Sequence, residues 1–275
     1  MSSLSPSDAA LEGFQVLKGH WRAVVGWAGF QIVAMVALLV VFFVLLLGVV
    51  PFTGSRDAAS ALGGSIAAVV LGVGGGLVQL VILTGLYRLL LTPDAPGFMH
   101  LRVGKDELRV FGAALLTAAV ALPLMAAAIL LGWAASRVSG WLGFGVLSAA
   151  LLAAYAAALR LGLTPVIAFA EQRIDLMESW RRTRGQSWRL IGMAVLLLCL
   201  IGVVVVITWL AVFLVGGLMT GFQDLDLTDR ETLSAHPARF VFQAIVELVL
   251  APVFLVIGQA PWVAVYKALT PGRAA

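Results

Sequence analysis

Several residue types are scarce or missing in this 275-residue chain, and each scarcity excludes a class of site. The single cysteine, Cys199, rules out an internal disulfide and any multi-cysteine metal site. Asparagine is absent, so the chain has no N-glycosylation acceptor. Charged residues make up only 12%, against about 25% in a typical soluble domain. Because so little charge cannot cover a water-soluble surface, this scarcity indicates a chain solvated by lipid.

Long uncharged apolar stretches take the place of the missing charge, with 61% hydrophobic residues and a mean hydropathy of +1.04. Val24–Val50 and Leu190–Gln223 contain no charged residue, and about 20 apolar residues cross the hydrocarbon core. Lipid offers backbone N–H and C=O groups no partner, so such runs must be helical. The fold class predicted is all-α, a polytopic membrane helix bundle, with six spans at residues 23–50, 65–91, 107–132, 141–163, 189–219 and 239–267.

Basic residues are concentrated on one side of the predicted membrane. With the N-terminus inside, the 18 Lys and Arg residues divide fourteen to four, and cytoplasmic loops carry such an excess. The expected outer loops are Pro51–Gly64, Gly132–Gly140 and Gly221–Ala238. Arginine far outnumbers lysine, a usage typical of a GC-rich bacterial genome. We therefore expect a multi-pass protein of a bacterial inner (cytoplasmic) membrane, with the N- and C-termini in the cytoplasm.

Every even-numbered span ends on the same short pattern, a basic residue followed by Leu-Thr-Pro. The prolines of the three copies are Pro93, Pro165 and Pro271. Proline bars its predecessor from helical geometry, so we expect each helix to stop there. The segments that enter the odd spans also match one another. The pattern predicts one membrane domain, 1-275, built from three repeated hairpins: repeat 1 at 5-93, repeat 2 at 94-165 and repeat 3 at 166-271.

Each hairpin is predicted to begin with a cytoplasmic elbow, and the first and third elbows have the pattern of interfacial helices. In the first elbow, Ser5 is placed to cap a helix that starts at Pro6. In the third elbow, residues 173–189, Asp175 and Glu178 have capping-box spacing. Its basic and aromatic side chains predict contact with lipid headgroups of the anionic leaflet: Arg173, Arg181, Arg182, Arg184, Trp188 and Arg189. Simple positive-inside anchoring remains the alternative to recognition of a specific lipid, a membrane-protein partner or a second copy of the chain.

The third elbow also resembles a known group of proteins. The stretch from Glu178-Ser179-Trp180-Arg181-Arg182 to Trp188-Arg189, following Leu163-Thr164-Pro165, resembles a pattern in uncharacterised bacterial multi-pass membrane proteins. They are similar to the membrane domain found beside some glycerophosphodiester phosphodiesterases. The catalytic phosphodiesterase domain is missing here, so the resemblance implies a membrane module without that enzyme activity, with a possible link to lipids.

One ionisable residue lies well inside a predicted span. Glu247 follows Gln243, Arg239 and His236 at helical spacing, so the four line one stripe of the sixth span. A carboxylate in hydrocarbon costs on the order of 3 kcal/mol, which makes it a functional candidate facing the bundle interior. The alternative is that Glu247 simply reaches interfacial water.

Small and amide residues of the second span complete the set of candidates. The spacing of Gly72 and Gly76 predicts close helix packing, with a helix break at a substrate site as the alternative. Gln79 is either an interhelical hydrogen-bonder or part of an intramembrane polar site with Glu247.

The sequence contains no recognisable catalytic, metal-binding or phosphate-binding motif. The isoelectric point near 9.7 derives mainly from arginines on the inner face, which favours anionic lipid over nucleic acid as the partner. The leading hypothesis is a non-enzymatic, lipid-associated or partner-binding membrane module without a cofactor. The alternative is a small-solute or ion transporter or channel that uses the polar stripe around Glu247. An intramembrane enzyme would need a titratable cluster that the sequence lacks.

The charge asymmetry generates a test of topology. A cysteine introduced at Ser60 should react with a membrane-impermeant maleimide from the periplasmic side, and a cysteine at Ser2 should not, because both termini are expected inside. The opposite labelling pattern would refute the orientation.

Overall fold

A computed structural model describes residues 5–49, 55–93, 98–220 and 237–270. This part of the chain is helical almost throughout and contains no strand, which confirms the all-α prediction. The helices are α1 Pro6–Gly19, α2 Trp21–Val49, α3 Arg56–Ala67, α4 Gly74–Leu91, α5 Lys105–Ser136, α6 Gly140–Leu161, α7 Thr164–Ala170, α8 Leu176–Arg182, α9 Ser187–Thr220 and α10 Pro237–Leu269. A π-helical segment, Ala68–Val73, joins α3 to α4, and a 3₁₀ turn, Phe98–His100, precedes α5.

Within the described residues, six helical runs are long and apolar enough to cross a membrane, in agreement with the predicted number of spans. They are Trp21–Val49, Ala59–Leu91, Lys105–Ser136, Gly140–Ala170, Ser187–Met219 and Pro237–Leu269. A helix of 33 residues such as α10 is about 50 Å long, whereas the hydrocarbon core is about 30 Å thick. The protein is therefore an integral, multi-pass membrane protein whose longer helices extend beyond the hydrocarbon or cross it at a tilt.

Two expected outer loops are shorter than the sequence suggested. Helix α3 begins at Arg56, inside the expected loop Pro51–Gly64, and α5 continues to Ser136, inside the expected loop Gly132–Gly140. Both segments are rich in alanine, the strongest helix former, and its propensity outweighs the neighbouring glycines. The third expected loop, Gly221–Ala238, lies outside the described residues except at its end, where α10 begins at Pro237.

The Leu-Thr-Pro pattern follows the end of a helix at all three of its copies. Helix α4 ends at Leu91, α6 at Leu161 and α10 at Leu269, as expected, although Pro271 itself lies outside the described residues. The expectation of non-helical geometry before the proline is wrong at Pro165, because α7 begins at Thr164 and keeps this proline in its first turn. Proline suits that position, since the first helical N–H groups have no intrahelical partner. Val166 and Ile167, which follow, are fully buried.

The hairpin of α5 and α6 is packed closely through two glycines. An added Cβ at Gly132 would lie 2.5 Å from the Cβ of Leu147, and one at Gly143 would lie 2.6 Å from the Cα of Ser136. Such distances leave no room for a methyl group on either helix. Small residues at helix contacts let backbones approach, which stabilises helix pairs where no hydrophobic effect drives them together.

The chain divides into two compact units. Unit 1 takes Met1–Gln15, Thr84–Leu198 and Gln259–Ala275, and unit 2 takes Val16–Leu83 and Cys199–Gly258. Unit 1 contains the third elbow, and unit 2 contains Gln79, Gln243 and Glu247. Since the division cuts across the sequence repeats, the three-hairpin repeat stays a prediction.

The packing of the α5–α6 hairpin predicts opposite effects for two neighbouring glycines. Gly143→Ala should destabilise the protein by about 1–3 kcal/mol, because its methyl group would overlap the backbone at Ser136. Gly145→Ala is the matched control: no atom lies within 4 Å of its added Cβ, and alanine favours the helix. Thermal unfolding in detergent measures both variants. Equal melting temperatures for the two would contradict the close contact.

Candidate functional site

The third elbow is a short helix held by its own sequence signals. The backbone N–H of Glu178 donates to Oδ1 of Asp175 at 2.9 Å, the N-cap bond that the spacing predicts. Helix α8 ends at Arg182, and the chain turns at Gly185, whose φ of +80° is readily adopted only by glycine. Helix α8 therefore begins where the capping residues of the sequence place its start.

Arg182 joins two acidic residues into a cluster, Glu178 in α8 and Glu171, which follows α7 just before the elbow. The guanidinium of Arg182 lies 2.6 Å from Glu171 Oε1 and 2.7 Å from Glu178 Oε1. Its side chain is only 12% exposed, and it also stacks over the ring of Tyr266 at 5.7 Å. The Tyr266 hydroxyl donates to Glu171 at 3.3 Å. Arg182 thus links α8 to the end of α7, through Glu171, and to the end of α10, through Tyr266.

The cluster stabilises the ionised carboxylates. Burial raises the pKa of Glu171, but hydrogen bonds from Arg182 and Arg173 outweigh it and hold the pKa below its ordinary value of 4.5. Hydrogen bonds from Arg182 and Arg181 likewise lower the pKa of Glu178. Burial lowers the pKa of Arg182, and its bonds to the two carboxylates more than offset that, so the net shift is upward. All three groups are therefore charged at neutral pH.

A second arginine seats α8 on the end of α6. The carbonyl oxygen of Arg160 accepts a hydrogen bond from Ser179 Oγ at 2.6 Å. The Arg160 guanidinium donates to Ser187 Oγ at 2.9 Å and lies 4.6 Å from the ring centre of Trp180. Ser179 is fully buried as a result. The elbow is consequently attached to α6 through both the backbone carbonyl and the side chain of Arg160.

The remaining basic side chains of the elbow are exposed. Arg181 is 71% exposed although it pairs with Glu178, and Arg173 is 50% exposed although it pairs with Glu171 and Asp175. Arg184 and Arg189 are also exposed. Trp188 and Met177, 82% and 72% exposed, add apolar surface beside them. Among the five arginines of the six predicted headgroup contacts, Arg182 is the one that is both paired with carboxylates and largely buried, and the headgroup role of the others stays a prediction.

The most deeply buried ion pair is one that the sequence reasoning missed. Arg88 Nη2 lies 2.5 Å from Glu107 Oε1, and both side chains are less than 10% exposed. Thr84 donates to the same oxygen at 3.0 Å, and Arg88 also donates to the backbone carbonyls of His100 and Arg102. The sequence signal was the acidic pair Asp106-Glu107 at the start of α5, one loop away from Arg88. Removing one partner of such a pair typically costs about 3–5 kcal/mol, so its role is structural.

Unit 2 contains a pocket that brings three of the predicted polar residues together. Its volume is about 410 Å³, and its polar lining residues are Gln79, Thr208, Gln243 and Glu247. Gln243 Nε2 donates to Glu247 Oε1 at 2.9 Å, as their spacing of four residues allows. Glu247 is exposed in the chain. Its carboxylate is therefore accessible to a bound molecule.

The fourth residue of the predicted stripe lies elsewhere. Arg239 is 5% exposed and packs on Gly216, whose added Cβ would lie 2.9 Å from Arg239 Nε. The pocket lining does not include it. His236, which the stripe also contained, lies outside the described residues. The polar site is thus shorter along α10 than the helical spacing suggested, and Gln79 of α4 lines it, as one of its two predicted roles required.

Close packing on the second span falls at different glycines from those predicted. Within the described chain no atom lies within 4 Å of an added Cβ at Gly72 or Gly76, whereas one at Gly74 would lie 2.6 Å from Leu38 Cδ2. The π-helical segment Ala68–Val73 immediately precedes Gly74. Its wider turn rotates the following helix face away from the register that a 3.6-residue period predicts.

Helices α2 and α4 each contain a buried amide oxygen without a hydrogen bond. Oε1 of Gln31 and Oε1 of Gln79 are both buried and have no hydrogen-bond partner in the part of the chain that the structure describes. Unsatisfied polar atoms inside a membrane helix bundle are costly and often mark functional positions. Gln79 therefore combines pocket lining with an unmet hydrogen bond.

Among the described residues, no group of three or more His, Cys, Asp or Glu side chains is placed to hold a metal ion. No protein-family model, curated protein or solved structure matches this chain.

The Arg182 cluster predicts a loss of order in the elbow at low pH. Because the pKa values of Glu171 and Glu178 are lowered on folding, their stabilisation is complete above the ordinary value of 4.5 and is lost as the pH falls through the lowered values. We expect the hydrogen-exchange protection factors of α8 to fall over that range. The control is the variant Glu171→Gln with Glu178→Gln, which should have weak protection at every pH. Unchanged protection in the acidified wild type would contradict the role of the cluster.

Proposed function

We propose that this protein is a non-enzymatic, lipid-associated module of a bacterial inner membrane, with the third elbow in contact with the anionic cytoplasmic leaflet. The observation that supports this most directly is the distribution of charge in the elbow. Glu171 and Glu178 are bound to Arg182, a side chain only 12% exposed, while Arg181, Arg184 and Arg189 are exposed.

The surface around these arginines has the chemistry of a membrane interface. Trp188 and Met177 are exposed apolar side chains in the same elbow, and tryptophan is enriched at the headgroup level of bilayers. Helix α8 is attached to α6 through Arg160 and Ser179, so the helix that carries the charged side chains is held in a fixed position. Basic residues near an anionic surface contribute about 1 kcal/mol each. Three exposed arginines are enough for a measurable preference between lipids.

A second candidate function is transport of a small solute or ion past Glu247. It is favoured by the pocket in unit 2, since Glu247, Gln243 and Gln79 all line it and polar groups within spans often mark substrate pathways. A transporter would produce a flux of solute or ion into proteoliposomes, and Glu247→Gln should abolish that flux. A protein that only associates with lipid through the elbow would produce no such flux.

The lipid proposal predicts a preference for anionic over neutral lipid at the protein boundary. The measurement is the fraction of motionally restricted spin-labelled phosphatidylglycerol, compared with phosphatidylcholine, around the reconstituted full-length protein. The triple variant Arg181→Gln, Arg184→Gln, Arg189→Gln should bring the ratio of restricted phosphatidylglycerol to restricted phosphatidylcholine close to one. Each arginine removed should lower that ratio by up to about fivefold. High salt should have the same effect on the wild type, because the Debye length falls from about 10 Å at 0.1 M to about 3 Å at 1 M.

Arg137→Gln is the matched control. Arg137 is an exposed arginine between α5 and α6, stacked over Trp133 at 4.4 Å, and it lies on the predicted outer side. Its substitution should leave the ratio unchanged if the cytoplasmic elbow carries the preference. A triple variant that keeps the wild-type ratio, or a ratio that salt does not change, would refute the proposal.

A further inference from the structure

The pocket in unit 2 has a polar end and an apolar end along α10. Gln243 and Glu247 line it first, and Leu250, Ala251 and Phe254 follow in the direction of Leu269. The seven helical steps from Glu247 to Phe254 correspond to a rise of about 10 Å along a helix. Helix α9 contributes Trp209 and aliphatic side chains to the same cavity. The lining therefore suits a molecule with one polar group and an apolar body.

The charge of the pocket determines which polar group fits. Glu247 is the one ionisable residue of the lining, and no basic side chain joins it there among the described residues. Gln243 donates to one carboxylate oxygen, Oε1, and the other oxygen is left to accept a hydrogen bond. An anionic headgroup would be repelled by this carboxylate, whereas a cationic donor would be attracted.

The lining suits an organic cation better than a bare metal ion. Metal ions are held by several ligands, and the pocket combines one carboxylate with the neutral side chains of Gln79, Thr208 and Gln243 on otherwise apolar walls. An organic ammonium differs because it carries its own apolar body into the cavity. The lining includes Trp209 and Phe254, and aromatic faces attract cations. At about 410 Å³, the cavity lies within the range of roughly 300–1,000 Å³ typical of ligand pockets.

We propose that this pocket binds an amphiphile with an ammonium group, which pairs with the Glu247 carboxylate while its apolar chain lies along Ala251 and Phe254. Two sources share this ammonium chemistry, the headgroup of an aminophospholipid and a free long-chain amine, and the competition experiment below distinguishes them. The proposal is independent of the third elbow, whose residues lie in unit 1.

Photolabelling tests the pocket directly. The full-length protein in phosphatidylglycerol nanodiscs is irradiated with a dodecylammonium probe that has a diazirine near the middle of its chain. Peptide mass spectrometry should locate crosslinks within residues 205–212 and 243–254. Glu247→Gln should reduce this labelling about tenfold, since it removes a charged hydrogen bond. The uncharged dodecanol probe with the same diazirine should label wild type and Glu247→Gln equally, and more weakly than the ammonium probe labels the wild type.

Two further variants separate a bound ligand from a general effect of charge or folding. Asp57→Asn removes a carboxylate on α3 outside the pocket and should leave labelling unchanged. Ala251→Trp fills the cavity and should abolish labelling by both probes. Equal ammonium labelling of wild type and Glu247→Gln, or crosslinks spread outside the two segments, would overturn the proposal.

Competition distinguishes the two sources of the ammonium. Phosphatidylethanolamine added to the nanodiscs should suppress labelling if the pocket takes an aminophospholipid. Unlabelled dodecylamine alone should suppress it if the pocket takes a free amine. Either result supports the ammonium site, and failure of both competitors would overturn it. The elbow triple variant should label like wild type, so failure of the lipid-surface proposal leaves this result unaffected.

Discussion

The absence of hydrogen-bond partners in hydrocarbon is the constraint from which the rest of the structure follows. The backbone N–H and C=O groups of each span form their hydrogen bonds within the same helix, so nearly all of the described chain is helical. Because the lipid-facing surface must be apolar, charged side chains are restricted to helix ends, short connections and a few paired sites. The function of such a protein depends on how those few charged groups are arranged.

Internal pairing determines which of the arginines are accessible. Arg88 is bound by Glu107 in the interior of unit 1, and Arg182 is bound by Glu171 and Glu178 beneath the elbow. Both act as structural links between neighbouring segments: Arg88 joins α4 to the start of α5, and Arg182 joins α8 to the residue that follows α7. The arginines left exposed, such as Arg184 and Arg189, are those that an anionic lipid surface could contact. Counting basic residues alone therefore overestimates the charge available to a membrane.

The polar groups of unit 2 follow a different principle. Glu247 is paired with an amide, Gln243, and no basic side chain joins it in the pocket lining among the described residues. The surrounding cavity is mostly apolar, which weakens screening and strengthens the attraction for a cation. A carboxylate of this kind is suited to a ligand that brings the opposite charge. The Glu107 carboxylate differs, because it is already paired with Arg88.

The sequence by itself determined the properties that depend on local composition and spacing. Apolar run length fixed the number of spans, and the spacing of Asp175 and Glu178 located α8, because capping acts within one helical turn. Only the tertiary structure decided the partner of Arg88, the glycine that packs on Leu38, and the meeting of Gln79 with Glu247 in one pocket. Each of these joins two different helices, and a π-helical segment alters the register of one of them. The physical reason is that periodicity records which face a residue occupies on its own helix, whereas contact between helices depends on their relative rotation and depth.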